Sequence, residues 1–272
     1  MNHQYVHHHP HYSRKRFGQH FLKNNDIIDN IISFIQPQKK EIMVEIGPGL
    51  GALTKPISKF LDILTVIEID RNLVKILKNH NFLEKNIIIY QEDAMNFDFF
   101  KIIKDKNQKL RIFGNLPYNI STALIFYLFQ YVKVIEDMHF MLQKEVVDRL
   151  IAIPGTKNYG CLSVMSQYFC KTIPLLDVPP SAFIPRPKVN SVLVRQVPFT
   201  ESRYPLTDVS LLKYITTIAF SQRRKTLNNS LKHLFTTNIL DLLNINPSLR
   251  AENITLSQYC QLANWLGTYC KL

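Results

Sequence analysis

Residues 44–54 read VEIGPGLGALT, and three of the chain's eight glycines (Gly47, Gly49 and Gly51) fall inside this stretch. The run Ile42 to Ile46 before them is short and apolar, as a buried strand is, and a helical pattern starts near Thr54. Glycines crowded at a strand-to-helix corner permit a tight turn and let backbone approach a ligand to van der Waals distance. A plain βα turn would use them too, so the loop needs partners before it means a binding site. The next apolar run, Ile63 to Ile69, supplies one. It contains Glu68, 21 residues beyond Gly47, where a carboxylate can accept from both hydroxyls of a ribose. The spacing is G-x-G-x-G, not the G-x-G-x-x-G of dinucleotide sites, and Pro48 removes an N–H that a pyrophosphate would use. The loop therefore favours an S-adenosylmethionine pocket over a nicotinamide one, which stays as the remote alternative.

Around this corner strands and helices alternate. Asn86 to Tyr90 and Leu110 to Phe113 read as further strands, with helical stretches starting near Arg71 and Phe97. Asn24 to Gln36 places Ile27, Ile28, Ile31, Ile32 and Ile35 at helical spacing behind Asn and Asp caps, and an apolar helix at Thr122 to Tyr131 precedes a strand at Met138 to Leu142. This is the pattern of an α/β, Rossmann-like fold with a mostly parallel sheet. Between Lys171 and Val197 prolines and then SVLVRQV predict added antiparallel strands. Pro198 to Pro205 reads as a linker. The expected organisation is a flexible extension over 1–16, the Rossmann-like unit over 17–200 and a small all-helical unit over 201–272, in which residues 203–272 hold eight Lys and Arg against three Asp and Glu.

The 272 residues carry a net charge of +12, with 46% hydrophobic and 20% charged residues, which excludes a fibre or an extended disordered chain and points to a water-soluble globular protein. That charge suits a polyanionic partner, nucleic acid first and an anionic membrane surface second; no basic amphipathic helix with an aromatic face supports the second. The apolar run at Ala123 to Val134 is interrupted by Gln130 and Lys133 and falls short of the roughly 20 residues a bilayer requires. The N-terminus has no apolar core of a secretory signal, so a cytoplasmic location is expected. Cys161, Cys170, Cys260 and Cys270 match neither a disulfide framework nor a zinc set, and the five histidines within the first eleven residues have no acid or thiol to complete a metal site. No metal is expected.

The fourth strand runs into Gly114-Asn115-Leu116-Pro117-Tyr118 at the sheet edge where such folds place reacting groups. An adenine N6 amine is a weak nucleophile because its lone pair is delocalised into the ring. The Asn115 oxygen and the Leu116 carbonyl can accept its two N–H bonds, Pro117 fixes the turn, and Tyr118 offers a face to a base. The sulfonium donor is already activated, so positioning and electrostatics suffice without a strong base. Asp93, just after the third strand, suits an adenine amino group, although a capping role before Ala94 is nearly as good a reading.

GQHFL (Gly18 to Leu22), EIGPGLG (Glu45 to Gly51), EID (Glu68 to Asp70), EDAM (Glu92 to Met95), GNLPYNIST (Gly114 to Thr122), QKEVVDRL (Gln143 to Leu150), VPPSAFIPRPKVNS (Val178 to Ser191) and FSQRRKTLNNSL (Phe220 to Leu231) together resemble the KsgA family of small-subunit (16S) ribosomal RNA adenine dimethyltransferases. The resemblance implies an enzyme that dimethylates N6 of two adjacent adenosines near the 3′ end of 16S rRNA during small-subunit biogenesis. It implies that His20, Leu22, Gly47, Gly49, Glu68, Asp93 and Asn115 line the S-adenosylmethionine pocket. It further implies that Phe183 stacks on the flipped adenine opposite Tyr118; without the motif, a core Phe between proline turns is the favoured reading. The family usually has Asn where this chain has His20, so an imidazole or the backbone alone makes that contact.

Arg223, Arg224 and Lys225, with Arg14, Lys15 and Arg16, are candidate RNA contacts; a solvated charge run is the bland alternative. The expected partner is small-subunit rRNA in an immature subunit, bound by a monomer. A non-catalytic RNA-binding assembly factor and a large-subunit rRNA dimethyltransferase are the other readings, opposed by the intact pocket motifs and by the FSQRRKTLNNSL tail respectively.

Overall fold

The computed structural model describes residues 19–79, 86–105 and 107–269. Strand β1 (Phe21–Leu22) leads into helix α1 (Asn25–Ile35), then β2 (Ile42–Ile46), α2 (Thr54–Ser58), β3 (Leu64–Ile67), α3 (Arg71–Asn79) and β4 (Ile87–Tyr90). After these come β5 (Leu110–Asn115), α4 (Ser121–Leu128), β6 (Ile135–Gln143), α5 (Lys144–Leu150), α6 (Cys161–Phe169), β7 (Cys170–Val178), β8 (Phe183–Ile184) and β9 (Ser191–Pro198). The remaining elements are all helical: α7 (Val209–Ser221), α8 (Leu227–Ser230), α9 (Thr237–Leu242) and α10 (Leu256–Tyr269).

Seven strands form one sheet in the order β4-β3-β2-β5-β6-β9-β7, parallel from β4 to β6 and antiparallel at β9 and β7. The proline-rich stretch thus closes the sheet as its composition predicts. Successive strands step outward from β2 in one direction and then, from β5, in the other. The carboxyl ends of β2 and β5 therefore open a crevice between them, the general ligand position of an open α/β sheet. Gly114 makes this possible: a Cβ there would lie 2.3 Å from the Ile46 carbonyl oxygen, so only glycine lets the tip of β5 run against the end of β2.

The Asn24 side chain caps α1 by accepting from the Ile27 N–H at 2.9 Å, as its sequence indicates. Two helical expectations are corrected. The stretch near Phe97 is only a 3₁₀ turn at Phe99–Ile102, with Phe97 and Phe99 both buried and their rings packed edge to face. The apolar helix expected to reach Tyr131 ends at Leu128 and tightens into a 3₁₀ turn, where Phe129 stacks on Phe169 and Tyr131 packs edge-on against Phe99. The two-stranded pairing of β1 with β8 (Phe21 opposite Ile184, Leu22 opposite Phe183) lies outside the predicted elements. It straps the N-terminal segment to the loop after β7.

Each sheet face has its own core. Ile31, Ile35, Met43, Ile57, Val66 and Phe113 pack on the face covered by α1 and α2. On the other face Val44, Ile112, Phe140, Leu124 and Leu162 join a cluster that continues without a break into Leu212, Ile215, Phe235, Tyr259 and Leu262 of the C-terminal helices. The helical unit beyond β9 therefore shares an interior with the sheet.

A buried charge network pins α1 to the sheet. Arg111 bonds both oxygens of Asp137, at 2.9 and 3.1 Å, and donates to the Ile35 carbonyl at the end of α1 and to Glu41. Arg195 binds Asp137 from the far side, and His139 lies 3.6 Å from it. Asp137 is fully buried, and despite that burial the two guanidinium partners hold its carboxyl below the usual carboxylate range. Among the described residues no helix is long and apolar enough to cross a membrane.

Candidate active site

Gly47, Gly49, Glu68, Asp93 and Asn115 line one cleft at the carboxyl ends of β2, β3, β4 and β5, with His20 and Leu22 along its side. Gly47, Gly49 and Gly51 all take positive φ, the region closed to most side chains. At Gly49 a Cβ would press on the Phe21 ring at 3.1 Å, so the strap can settle on the loop only because the side chain is absent. Glu68 is 4% exposed. Its Oε2 accepts from the Gly49 N–H at 3.2 Å and its Oε1 from the Asp70 N–H at 2.9 Å. Burial raises its pKa, and those two N–H donors oppose the rise.

Asp93 caps a turn at 94–96 in place of the helix expected there. Its Oδ1 accepts from the Met95 N–H at 2.9 Å, the turn-capping bond, while the residue lines the cleft beside Ala94, Met95 and Ile69, apolar neighbours fit for the faces of a purine. Asn115 Nδ2 donates to the His20 carbonyl at 2.7 Å, which orients the amide and leaves Oδ1 as an acceptor. The Leu116 side chain is buried, so only its main chain can serve a substrate. Pro117 lines the cleft and its carbonyl starts the turn into α4.

Tyr118 is half-buried; its hydroxyl lies 2.6 Å from Ser191 Oγ and its ring 5.3 Å from the His20 ring. Phe183 departs from expectation. It is 1% exposed and packs among Ile31, Met43 and Phe113, because pairing with Leu22 across β1 and β8 turns its ring into the core. In this structure it offers no face to a base.

The basic triplet divides. Arg223 donates to Glu252 at 2.9 Å and to the Tyr159 carbonyl at 2.9 Å, with Thr156 and Lys157 carbonyls also around it, so it fastens the loop before α6 to the helical unit. Its Nε and Nη2 are engaged in this way, which gives Arg223 a structural role beside the RNA contact expected from the sequence. Arg224 and Lys225 are exposed in the turn between α7 and α8. Arg14, Lys15 and Arg16, and the 1–16 extension, lie outside the described residues. No group of three His, Cys, Asp or Glu suited to a metal occurs among the described residues.

Two residues escaped the sequence reading. Ser191 anchors Tyr118 from 73 positions away, and only the quoted VPPSAFIPRPKVNS stretch marked it. Glu45, on β2 under the glycine loop, is fully enclosed; burial, reinforced by the charge of Glu68, pushes its pKa up to about 8.

A glycine loop bonded to a buried acid, with an oriented amide opposite at the carboxyl edge of a mostly parallel sheet, is the arrangement of a Rossmann-like, S-adenosylmethionine-dependent methyltransferase. The family model for ribosomal RNA adenine dimethylases matches residues 11–268. The chain belongs to that family. The ribosomal RNA small subunit methyltransferase A of Erwinia tasmaniensis is 58% identical over 262 residues, covering 96% of each chain. That of Klebsiella pneumoniae is 57% identical over 260 residues, covering 96% of this chain and 95% of the other. Among solved structures, a dimethyladenosine transferase from Plasmodium falciparum matches at a TM-score of 0.77 and 27% identity, covering 92% of this chain and 98% of that one. The 23S rRNA methyltransferase ErmE shares the fold, at a TM-score of 0.67 and 21% identity over 91% of this chain and 99% of that one.

Proposed function

We infer that the protein moves methyl groups from S-adenosylmethionine to N6 of two neighbouring adenines in small-subunit rRNA, two to each, acting as a monomer on an immature subunit in the cytoplasm. The observation that carries this reading is the oriented Asn115 amide, whose Oδ1 is left to accept where the glycine loop, Glu68 and Asp93 converge. Bound there, the cofactor supplies an electrophilic methyl on a positively charged sulfur. Glu68 would take its ribose hydroxyls, Asp93 its adenine amine, and the backbone at Gly47 and Gly49 would lie against it. The donor set fits: the Glu68 carboxylate is aimed into the cleft by two main-chain N–H groups, and apolar side chains flank Asp93.

Asn115 Oδ1 and the Leu116 carbonyl accept the two N–H bonds of the target amine and draw its lone pair out of conjugation. As the N6–methyl bond forms and the methyl's bond to sulfur breaks, leaving S-adenosylhomocysteine, N6 would gain the positive charge, which the two oxygens would stabilise until a proton leaves to water. Tyr118 receives the base. The overall charge of +12 and the exposed Arg224 and Lys225 support an RNA partner.

The test is incorporation of labelled methyl from S-adenosylmethionine into small subunits from a strain lacking this activity, with the modified positions mapped. Transfer to paired adenines, lost in Asn115→Ala, is expected. Labelling of large-subunit RNA, or tight RNA binding without transfer, would overturn the reading.

A further inference from the structure

Three contacts from two separate segments, 115–118 and the loop holding Pro185, meet at His20. Its main-chain carbonyl takes the Asn115 amide at 2.7 Å, its Nδ1 lies 2.7 Å from the Pro185 carbonyl oxygen, and its ring lies against Tyr118 with the planes 30° apart. A carbonyl oxygen only accepts, so Nδ1 carries the proton in that bond. The register of β1 on β8 sets where the strap, and with it His20, sits.

The contact with Tyr118 has a mechanical consequence. The bond from the Tyr118 hydroxyl to the buried Ser191 holds the tip of the side chain. That tip lies on the axis joining Cβ to the hydroxyl, the axis about which the ring spins, so a bond made there leaves the plane of the ring free. A neighbour against the face stops the spin. His20 is that neighbour, and its own ring is held by Pro185.

We propose that the His20 imidazole is a positioning residue for the target base: anchored through Nδ1–H to Pro185, it sets the plane of Tyr118 so that an extruded adenine stacks with its N6 within reach of Asn115 Oδ1. This rests on the methyltransferase reading above. It places the side chain in base reception, whereas the sequence resemblance implies cofactor contact, and it supplies a partner for Tyr118 while Phe183 is in the core.

The experiment separates these roles with three variants, His20→Ala, His20→Phe and His20→Gln, assayed on the whole immature subunit. Phe keeps a ring against Tyr118 without the Pro185 bond; Gln keeps a donor without the ring. His20→Ala is expected to lower kcat/KM for the subunit by about 10- to 100-fold, the scale of a small misplacement of reacting groups. Its S-adenosylmethionine affinity by calorimetry should stay within about threefold, on the same reasoning that the ring acts on the base and not the cofactor. His20→Phe should recover most of the loss and His20→Gln little. A parallel fall of cofactor affinity and activity would overturn the proposal, as would wild-type rates in all three variants or rescue by Gln but not Phe. Absence of transfer by the wild-type protein would instead overturn the methyltransferase reading itself.

Discussion

The Gly49 N–H donates to Glu68 Oε2 at 3.2 Å, so the glycine loop and the acid at the next strand tip form one connected unit. The carboxylate is already aimed and desolvated before any ribose reaches it, and little reorganisation remains for binding. Glu68→Gln keeps the shape but removes the charge. It is expected to weaken S-adenosylmethionine binding by about tenfold, the worth of a charge-assisted hydrogen bond, as measured by calorimetry.

The same residue predicts a pH dependence. Burial raises the Glu68 pKa, so its proton-bound form becomes populated at higher pH than for an ordinary carboxyl. A protonated acid accepts less well from ribose hydroxyls, so cofactor affinity should fall as pH drops from neutral into the acid range. Calorimetry across that range checks it, and the Glu68→Gln variant should show a flatter profile.

Acid should also unfold the protein through the network around Asp137. Burial lowers the His139 pKa from 6.5 to about 4, so between these values the unfolded chain binds a proton that the folded one refuses. Stability is fully present above the unfolded value and is lost as pH falls toward the folded one, a total of about 3 kcal/mol. Asp137, held low by Arg111 and Arg195, acts in the same direction further into acid. Urea unfolding of His139→Gln should show a shallower dependence on pH across this window.

Arg223 and Arg224 are neighbours with opposite expected phenotypes. Arg223→Ala should lower the thermal midpoint by freeing the loop before α6, while Arg224→Ala should leave it unchanged. Arg224→Ala should instead weaken RNA binding and reduce by about one the slope of log affinity against log salt. Filter binding at several salt concentrations, with thermal unfolding alongside, distinguishes the two.

Gly114→Ala is expected to cost about 1–3 kcal/mol, because its Cβ meets backbone at 2.3 Å and overpacking must be relieved by parting β5 from β2. Thermal unfolding measures it. Cofactor affinity should fall too, since Asn115 follows directly.

Much of this was legible in the sequence because the signals are local. A glycine run between an apolar strand and a helix, Glu68 at the next strand end and GNLPY at the fourth strand each carry their meaning within a few residues, and the cleft unites them. Long-range contacts were not legible. The prolines around Phe183 allow a core ring, but not that its strand partner is Leu22, far earlier in the chain, and the basic run around Arg223 gives no sign of its bonds to Tyr159 and Glu252. Asp137, Arg111 and Arg195 fall on three strands, so their network exists only once the sheet is assembled. The 3₁₀ turn at Phe99 is a local failure, in which ring packing outweighed helical periodicity.

The unbroken interior joining Phe140 to Leu212 and Tyr259 welds the C-terminal helices to the sheet. Any tilt of those helices against the cleft would tear open that shared core and expose apolar surface, so the two ends of the molecule move together or at a cost.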